Sequence, residues 1–165
     1  RIAIHAALTG HLVLSTLHTN DAAATVTRLV DMGIEPFLVS SSVIGVIAQR
    51  LVRILCHRCK QPYTPTEEVL RRVGLSGSGQ PPTFYKAVGC EFCSHIGYKG
   101  RSGIFEIMPV DDEIKSLIVR QATSSQIKEA AIAAGMRTLQ QDGLSKVMNG
   151  TTSLEEVLRV VFVEG

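Results

Sequence analysis

There is no tryptophan in these 165 residues, and only three tyrosines and five phenylalanines. Aromatics make up 5% of the chain, so the core must be assembled from Val, Ile, Leu and Ala. An aliphatic core of that kind suits α/β and helical layers better than a β-sandwich. Strong charge of either sign is also lacking: 17 basic and 15 acidic residues leave a formal net charge of +2. That balance gives no electrostatic footprint for nucleic acid. Long hydrophobic runs are missing as well. The most apolar stretch, residues 37–54, is broken by Ser40, Ser41, Ser42, Gly45, Gln49, Arg50 and Arg53, whereas a membrane span needs about 18 nearly uninterrupted apolar residues. No segment reads as a signal peptide, an internal repeat or a low-complexity tract. The chain opens on Arg1 inside an apolar-periodic segment and reads as part of a longer protein.

Apolar residues make up 45% of the chain, enough for a packed core. Residues 2–8 predict a helix end with Gly10 as its stop. The run His11-Leu12-Val13-Leu14-Ser15-Thr16 predicts a strand buried on both faces of a parallel sheet. Asn20 is the expected cap of a helix carrying Val26, Leu29, Val30 and Met32, closed by Gly33. Pro36 predicts the first turn of a long helix reaching residues 51–54. Thr64-Pro65-Thr66-Glu67 reads as a capping box opening a short helix over 65–73. Residues 75–82, rich in Gly, Ser and Pro, read as a flexible loop. Residues 104–108 look like a strand. Four helices should follow: 112–119 capped by Asp111, 127–134 capped through Thr123 to Gln126, 136–148, and 154–162 behind Thr152-Ser153-Leu154-Glu155.

All four cysteines fall into two Cys-x-x-Cys pairs, Cys56-His57-Arg58-Cys59 and Cys90-Glu91-Phe92-Cys93. A two-residue gap lets both thiolates of a pair reach one ion from a tight turn. Two such turns complete a tetrahedral tetrathiolate, the donor set and geometry of structural zinc. Two disulfides or four free thiols are the alternatives. Four protein ligands leave no open coordination position, so the expected zinc is structural. Arg50, Arg53, Arg58 and Lys60 crowd the first pair. They read as a solvated cluster offsetting the negative tetrathiolate, with docking on nucleic acid as the competing reading.

His11 and His18 bracket the expected strand, with Thr16, Thr19 and Asn20 beside the second. Polar residues at the ends of a parallel strand lie where open α/β sheets bind ligands, and a satisfied structural histidine is the competing reading. The stretch Thr9 to Asn20 resembles the histidine box of the ATPases that drive type II secretion and type IV pilus assembly. The resemblance extends through Asp31-Met32-Gly33-Ile34-Glu35-Pro36-Phe37, Ala48-Gln49-Arg50-Leu51-Val52-Arg53 and the paired cysteines. It continues in Gly97-Tyr98-Lys99-Gly100-Arg101, Gly103-Ile104-Phe105-Glu106 and Thr152-Ser153-Leu154-Glu155-Glu156-Val157. Together these motifs look like the C-terminal third of the type II secretion E-protein, with the pilus extension ATPase as the close alternative.

The resemblance implies a RecA-like P-loop ATPase working as a homo-hexamer in the bacterial cytoplasm, peripheral on the inner membrane. ATP and Mg²⁺ would be its cofactors in the full-length protein. An inner-membrane platform protein and the cytoplasmic domain of a membrane-anchoring subunit would be its partners, with no nucleic acid. The implied catalytic residues are His11 and His18, near the γ-phosphate; Arg101 matches an arginine near the nucleotide and the subunit boundary, with a salt bridge beside the zinc lobe as the alternative role. The chain departs from the family in having no Gly-x-x-x-x-Gly-Lys-Ser/Thr and no acidic boxes. Phosphoryl transfer is mostly positioning and electrostatics, so this chain alone should be inactive. The expected organisation is a partial RecA-like lobe (1–55), a tetracysteine zinc lobe (56–103) and a mainly helical C-terminal subdomain (104–165). A zinc-containing nucleic-acid or adaptor module is the competing class.

Overall fold

The computed structural model describes residues 2–75 and 82–162. Among these residues the fold is α/β, with eight α-helices and two two-stranded sheets. The expected loop at 75–82 falls mostly outside them. Two compact units are present, and the chain passes between them at residues 49–50, 104–105 and 139–140.

The first unit comprises residues up to Gln49 together with Phe105–Leu139. Helix α1 spans Ile2–Leu8, and α2 spans Ala22–Asp31. Asp21 caps α2, in place of the expected Asn20: its Oδ1 accepts from the Ala24 N–H at 2.8 Å. The carboxylate also holds Lys128 Nζ at 2.8 Å. Gly33, at φ +79°, provides the left-handed turn that ends α2, a conformation costly for a residue with Cβ. Val26, Val39, Met108, Ile114, Ile118 and Ile127 form the heart of this unit's aliphatic core.

Pro36 does open a helix, but α3 spans only Pro36–Ser42. The expected continuation is instead strand β1, Gly45–Leu55. The hydroxyls of Ser41 and Ser42 bond back to the carbonyls of Phe37 and Leu38 at 2.7 and 2.6 Å, an arrangement that competes with helix propagation. Beyond them the side chains alternate between exposed and half-buried along β1. β1 pairs with β4, Tyr98–Pro109, a strand longer at both ends than expected. Helices α5 (Asp112–Val119, capped by Asp111) and α6 (Ser124–Ala133, with the Thr123–Gln126 capping box) complete the unit.

Residues 11–16 form no strand. Leu12 and Leu14 are 78% and 89% exposed. A strand exists only where a neighbour completes its ladder, and the described residues bring none to this segment.

The second unit comprises Arg50–Ile104 and the residues from Gln140 onward. Strands β2 (Gln61–Tyr63) and β3 (Phe84–Lys86) pair antiparallel, with Pro62 opposite Tyr85. Between them lies α4, Glu67–Arg72, capped by Thr66, two residues after the expected Thr64. Helix α7 runs Leu139–Met148, starting three residues after the expected Met136, and α8 runs Leu154–Phe162. Ser153 caps α8 by accepting the Glu156 N–H at 3.1 Å, while Thr152 donates to the Arg53 carbonyl at 2.7 Å. These units interleave along the chain. β1 and β4 pair across a wide sequence separation, so residues beyond 104 are shared between both units.

Candidate metal centre

Cys56 follows the last residue of β1, and the chain turns at once: the Cys59 and Lys60 amides both donate to the Cys56 carbonyl, at 3.3 and 3.0 Å. The second pair is built on a 3₁₀ turn, Glu91–Cys93, whose Cys93 and His95 amides donate to the Cys90 carbonyl. Ser94 and His95 then take left-handed conformations, bringing Gly97 back so that its carbonyl accepts the Cys56 N–H at 2.9 Å. The return is tight. A Cβ on Gly89 would lie 2.6 Å from the His95 carbonyl oxygen, and one on Gly97 would lie 2.7 Å from Ala87 Cβ.

All four Sγ atoms lie within 4.8 Å of one another. The Cys56–Cys90 and Cys59–Cys93 separations are 3.9 Å, and Cys90–Cys93 is 3.8 Å. A tetrahedron with metal–sulfur bonds of about 2.3 Å has edges of about 3.8 Å. The same separations are far beyond a disulfide bond of about 2.05 Å, and all four cysteines are free. Backbone amides point at the sulfurs: Gly89 N–H at Cys59, and the Cys90 and Gly97 N–H groups at Cys93, at 3.2–3.3 Å. Burial raises the Cys93 thiol, but the Cys90 and Gly97 amides outweigh it and bring it to about 6. Burial pushes Cys59 up to about 11. Four thiols this close cannot all ionise without a cation among them. The donor set, spacing and amide donors therefore fit a tetrathiolate zinc site.

The basic residues around the first pair are largely engaged within the unit. Arg53 binds Glu156 through Nε and Nη2, at 3.0 and 2.7 Å, and lies 4.2 Å from the Tyr98 ring centroid. Lys60 donates to the Gly150 carbonyl at 2.7 Å and stacks on Tyr85. Arg58 stacks on Phe92 at 3.9 Å. A face of free cations for a phosphate backbone is thus not assembled from these three.

His11 and His18 lie in the first unit, both exposed. His11 is tied back to α1: its Nδ1 is 3.2 Å from Thr9 Oγ1 and from the Ala6 carbonyl. Thr19, next to His18, pairs with Thr25 at 2.7 Å. Arg101 lies exposed on β4 in the second unit. It forms no ion pair among the described residues, so the alternative of a salt bridge beside the cysteine lobe is not found.

Two buried carboxylates escape a motif reading. Glu106, 1% exposed, accepts the N–H groups of Ala22 and Leu139, at 2.9 and 3.2 Å, at the starts of α2 and α7. Helix N-termini stabilise such an anion. Its signal was the alternation Ile104, Glu106, Met108 on the buried side of β4. Glu156, with no side-chain exposure, accepts from Arg53 and Arg159. Burial opposes its ionisation, but the hydrogen bonds from Arg159 and Arg53 prevail and hold its carboxyl at about 2.

Residues 1–159 match the family described as Type II/IV secretion system protein. The chain is 54% identical over 159 residues to the type IV pilus assembly ATPase PilB of Thermus thermophilus, covering 96% of this chain and 18% of that protein. It is 54% identical over 160 residues to the type II secretion system ATPase E of Vibrio cholerae, covering 97% of this chain and 31% of that protein. Type II secretion system protein E of Pseudomonas aeruginosa is 51% identical over 159 residues, covering 96% of this chain and 31% of its own length. The chain thus spans less than a third of each of these relatives. No helix among the described residues is long and apolar enough to cross a membrane. The chain belongs to the type II/IV secretion system protein family.

Proposed function

We propose that this chain is the C-terminal portion of a hexameric ATPase that powers type II secretion by assembling a pseudopilus. The observation that carries this reading is the family match over residues 1–159 together with relatives named as secretion and pilus ATPases. Because secretion and pilus relatives match equally well, a type IV pilus extension ATPase is the second reading. In either case a partial RecA-like lobe, a zinc lobe and a helical subdomain are the proposed parts. ATP and Mg²⁺ act in the full-length protein, which works in the cytoplasm against the inner membrane. Its proposed partners are five further copies of itself, a platform protein and a membrane-anchoring subunit. Nucleic acid is not among the proposed partners: Arg53 and Lys60 bond within the fold, and Arg58 lies over the Phe92 ring.

Cys56, Cys59, Cys90 and Cys93 would hold the zinc, which supplies a cross-link in place of an extended core. His11 and His18 are proposed to sense the γ-phosphate, and Arg101 to approach nucleotide near the subunit boundary. A chimaera experiment tests the system served. This chain replaces the equivalent segment of a secretion ATPase and of a pilus ATPase in strains lacking each. Restored exoprotein release with poor pilus extension supports the secretion reading. The reverse supports the pilus reading, and failure in both hosts with intact hexamers would sink both.

A further inference from the structure

Phe92 lies between the second pair of cysteines, yet its ring contacts residues from outside that turn. Arg58, between the first pair, places its Cζ 3.9 Å from the Phe92 ring centroid. Lys99, on β4, places its Nζ 3.8 Å from the same centroid and donates to the Phe92 carbonyl at 3.2 Å. His57, also from the first pair, meets the ring edge-on at 5.1 Å and 71°. Both inner residues of the first Cys-x-x-Cys therefore close on an inner residue of the second. Cation–ring attraction operates within about 6 Å, and both cations are well inside it. We propose that Arg58, Phe92 and Lys99 form a clasp that holds the two cysteine turns in register and sets how tightly the metal is retained. It rests on the tetrathiolate reading of the site.

Two physical effects make the clasp more than surface packing. The turns belong to segments separated by 30 residues; the Cys56 N–H to Gly97 carbonyl bond and the β2–β3 ladder already tie those segments, and the clasp further lowers the entropic cost of bringing their cysteines together on metal binding. Preorganised ligands avoid that cost. Four thiolates around a dication also carry a net charge of −2, and Arg58 and Lys99 place two positive charges beside it. The residues around a ligand set tune metal affinity in this manner. Arg58 and Lys99 are themselves exposed, so their replacement leaves the core untouched.

The test loads the full chain with Co²⁺, whose visible bands report tetrahedral sulfur coordination, and follows metal transfer to pyridylazoresorcinol. Arg58→Gln and Lys99→Gln should each speed release about threefold, and the double variant about tenfold. Phe92→Ala should match the double variant, and Phe92→Tyr should restore the native rate. The accelerations should shrink with added salt, because they are partly electrostatic. The band positions at saturation should stay those of the native chain. Native release from the double variant at low salt would overturn the clasp. So would native release from Phe92→Leu, which keeps apolar packing without a ring face, since Phe92 would then act by packing alone. Absence of sulfur-to-cobalt bands in the unaltered chain would instead overturn the tetrathiolate reading itself.

Discussion

Glu156 carries the clearest single-residue energetics. Its carboxyl is fully buried, accepts both arginines and ionises at about 2 in the fold, against 4.5 as an ordinary group. A depressed carboxyl stabilises the fold at pH above its unfolded value, and that contribution fades as pH falls through the folded one. The shift corresponds to about 3 kcal/mol. Denaturant titrations should show this contribution lost between about pH 5 and pH 2. Glu156→Gln should lower stability near neutrality by about 3 kcal/mol and flatten the acid dependence. An unchanged acid profile in that variant would assign the acid sensitivity to other groups. At the cysteines, Cys90→Ser removes one of the four proposed ligands. The unaltered chain should carry one zinc per chain after purification without chelator, and the variant clearly less, as measured by elemental analysis.

Turns and strands decide whether those residues meet. Gly89 holds φ at +115° with the His95 carbonyl in the place a Cβ would occupy, whereas Gly10, at φ +94°, has open space around it. Gly10→Ala should therefore cost only the left-handed strain, about 1–2 kcal/mol. Gly89→Ala should cost more and lower zinc content as well. Equal stability and equal zinc in the two variants would show that the turn relaxes freely. Metal removal belongs to this scale too. Chelation should raise amide exchange across residues 56–104 before it touches α5 and α6, whose aliphatic core needs no ion. Uniform loss of protection over the whole chain would contradict that order.

For the whole molecule, catalysis is the issue. The chain lacks a phosphate-cradling glycine loop, so it should turn over no ATP on its own. ATP hydrolysis abolished by substitutions within this chain alone would reverse that expectation. In the proposed hexameric ATPase, His18→Ala should lower turnover about tenfold or more while nucleotide affinity changes less, as for one lost contact worth over about 1.4 kcal/mol. A stability loss with normal turnover per hexamer would leave His18 a structural residue.

Spacing and capping chemistry act over a few residues, and those features were legible in the linear chain. The two Cys-x-x-Cys pairs, the Asp111 and Thr123 caps and the Gly33 stop each reside in a window that folds as a unit. The serial motifs from Thr9 to Val157 likewise identified the family before any packing was considered. Tertiary structure decided what depends on distant partners. The run 11–16 has a strand's composition but no ladder neighbour, so it stays unpaired, and residues 45–55 become strand because β4 pairs with them. Glu106 meets Ala22 across 84 positions, and Glu156 meets Arg53 across 103. No local pattern encodes such a pairing: a buried carboxylate is stable only where folding delivers donors to it, and those donors come from elsewhere in the chain.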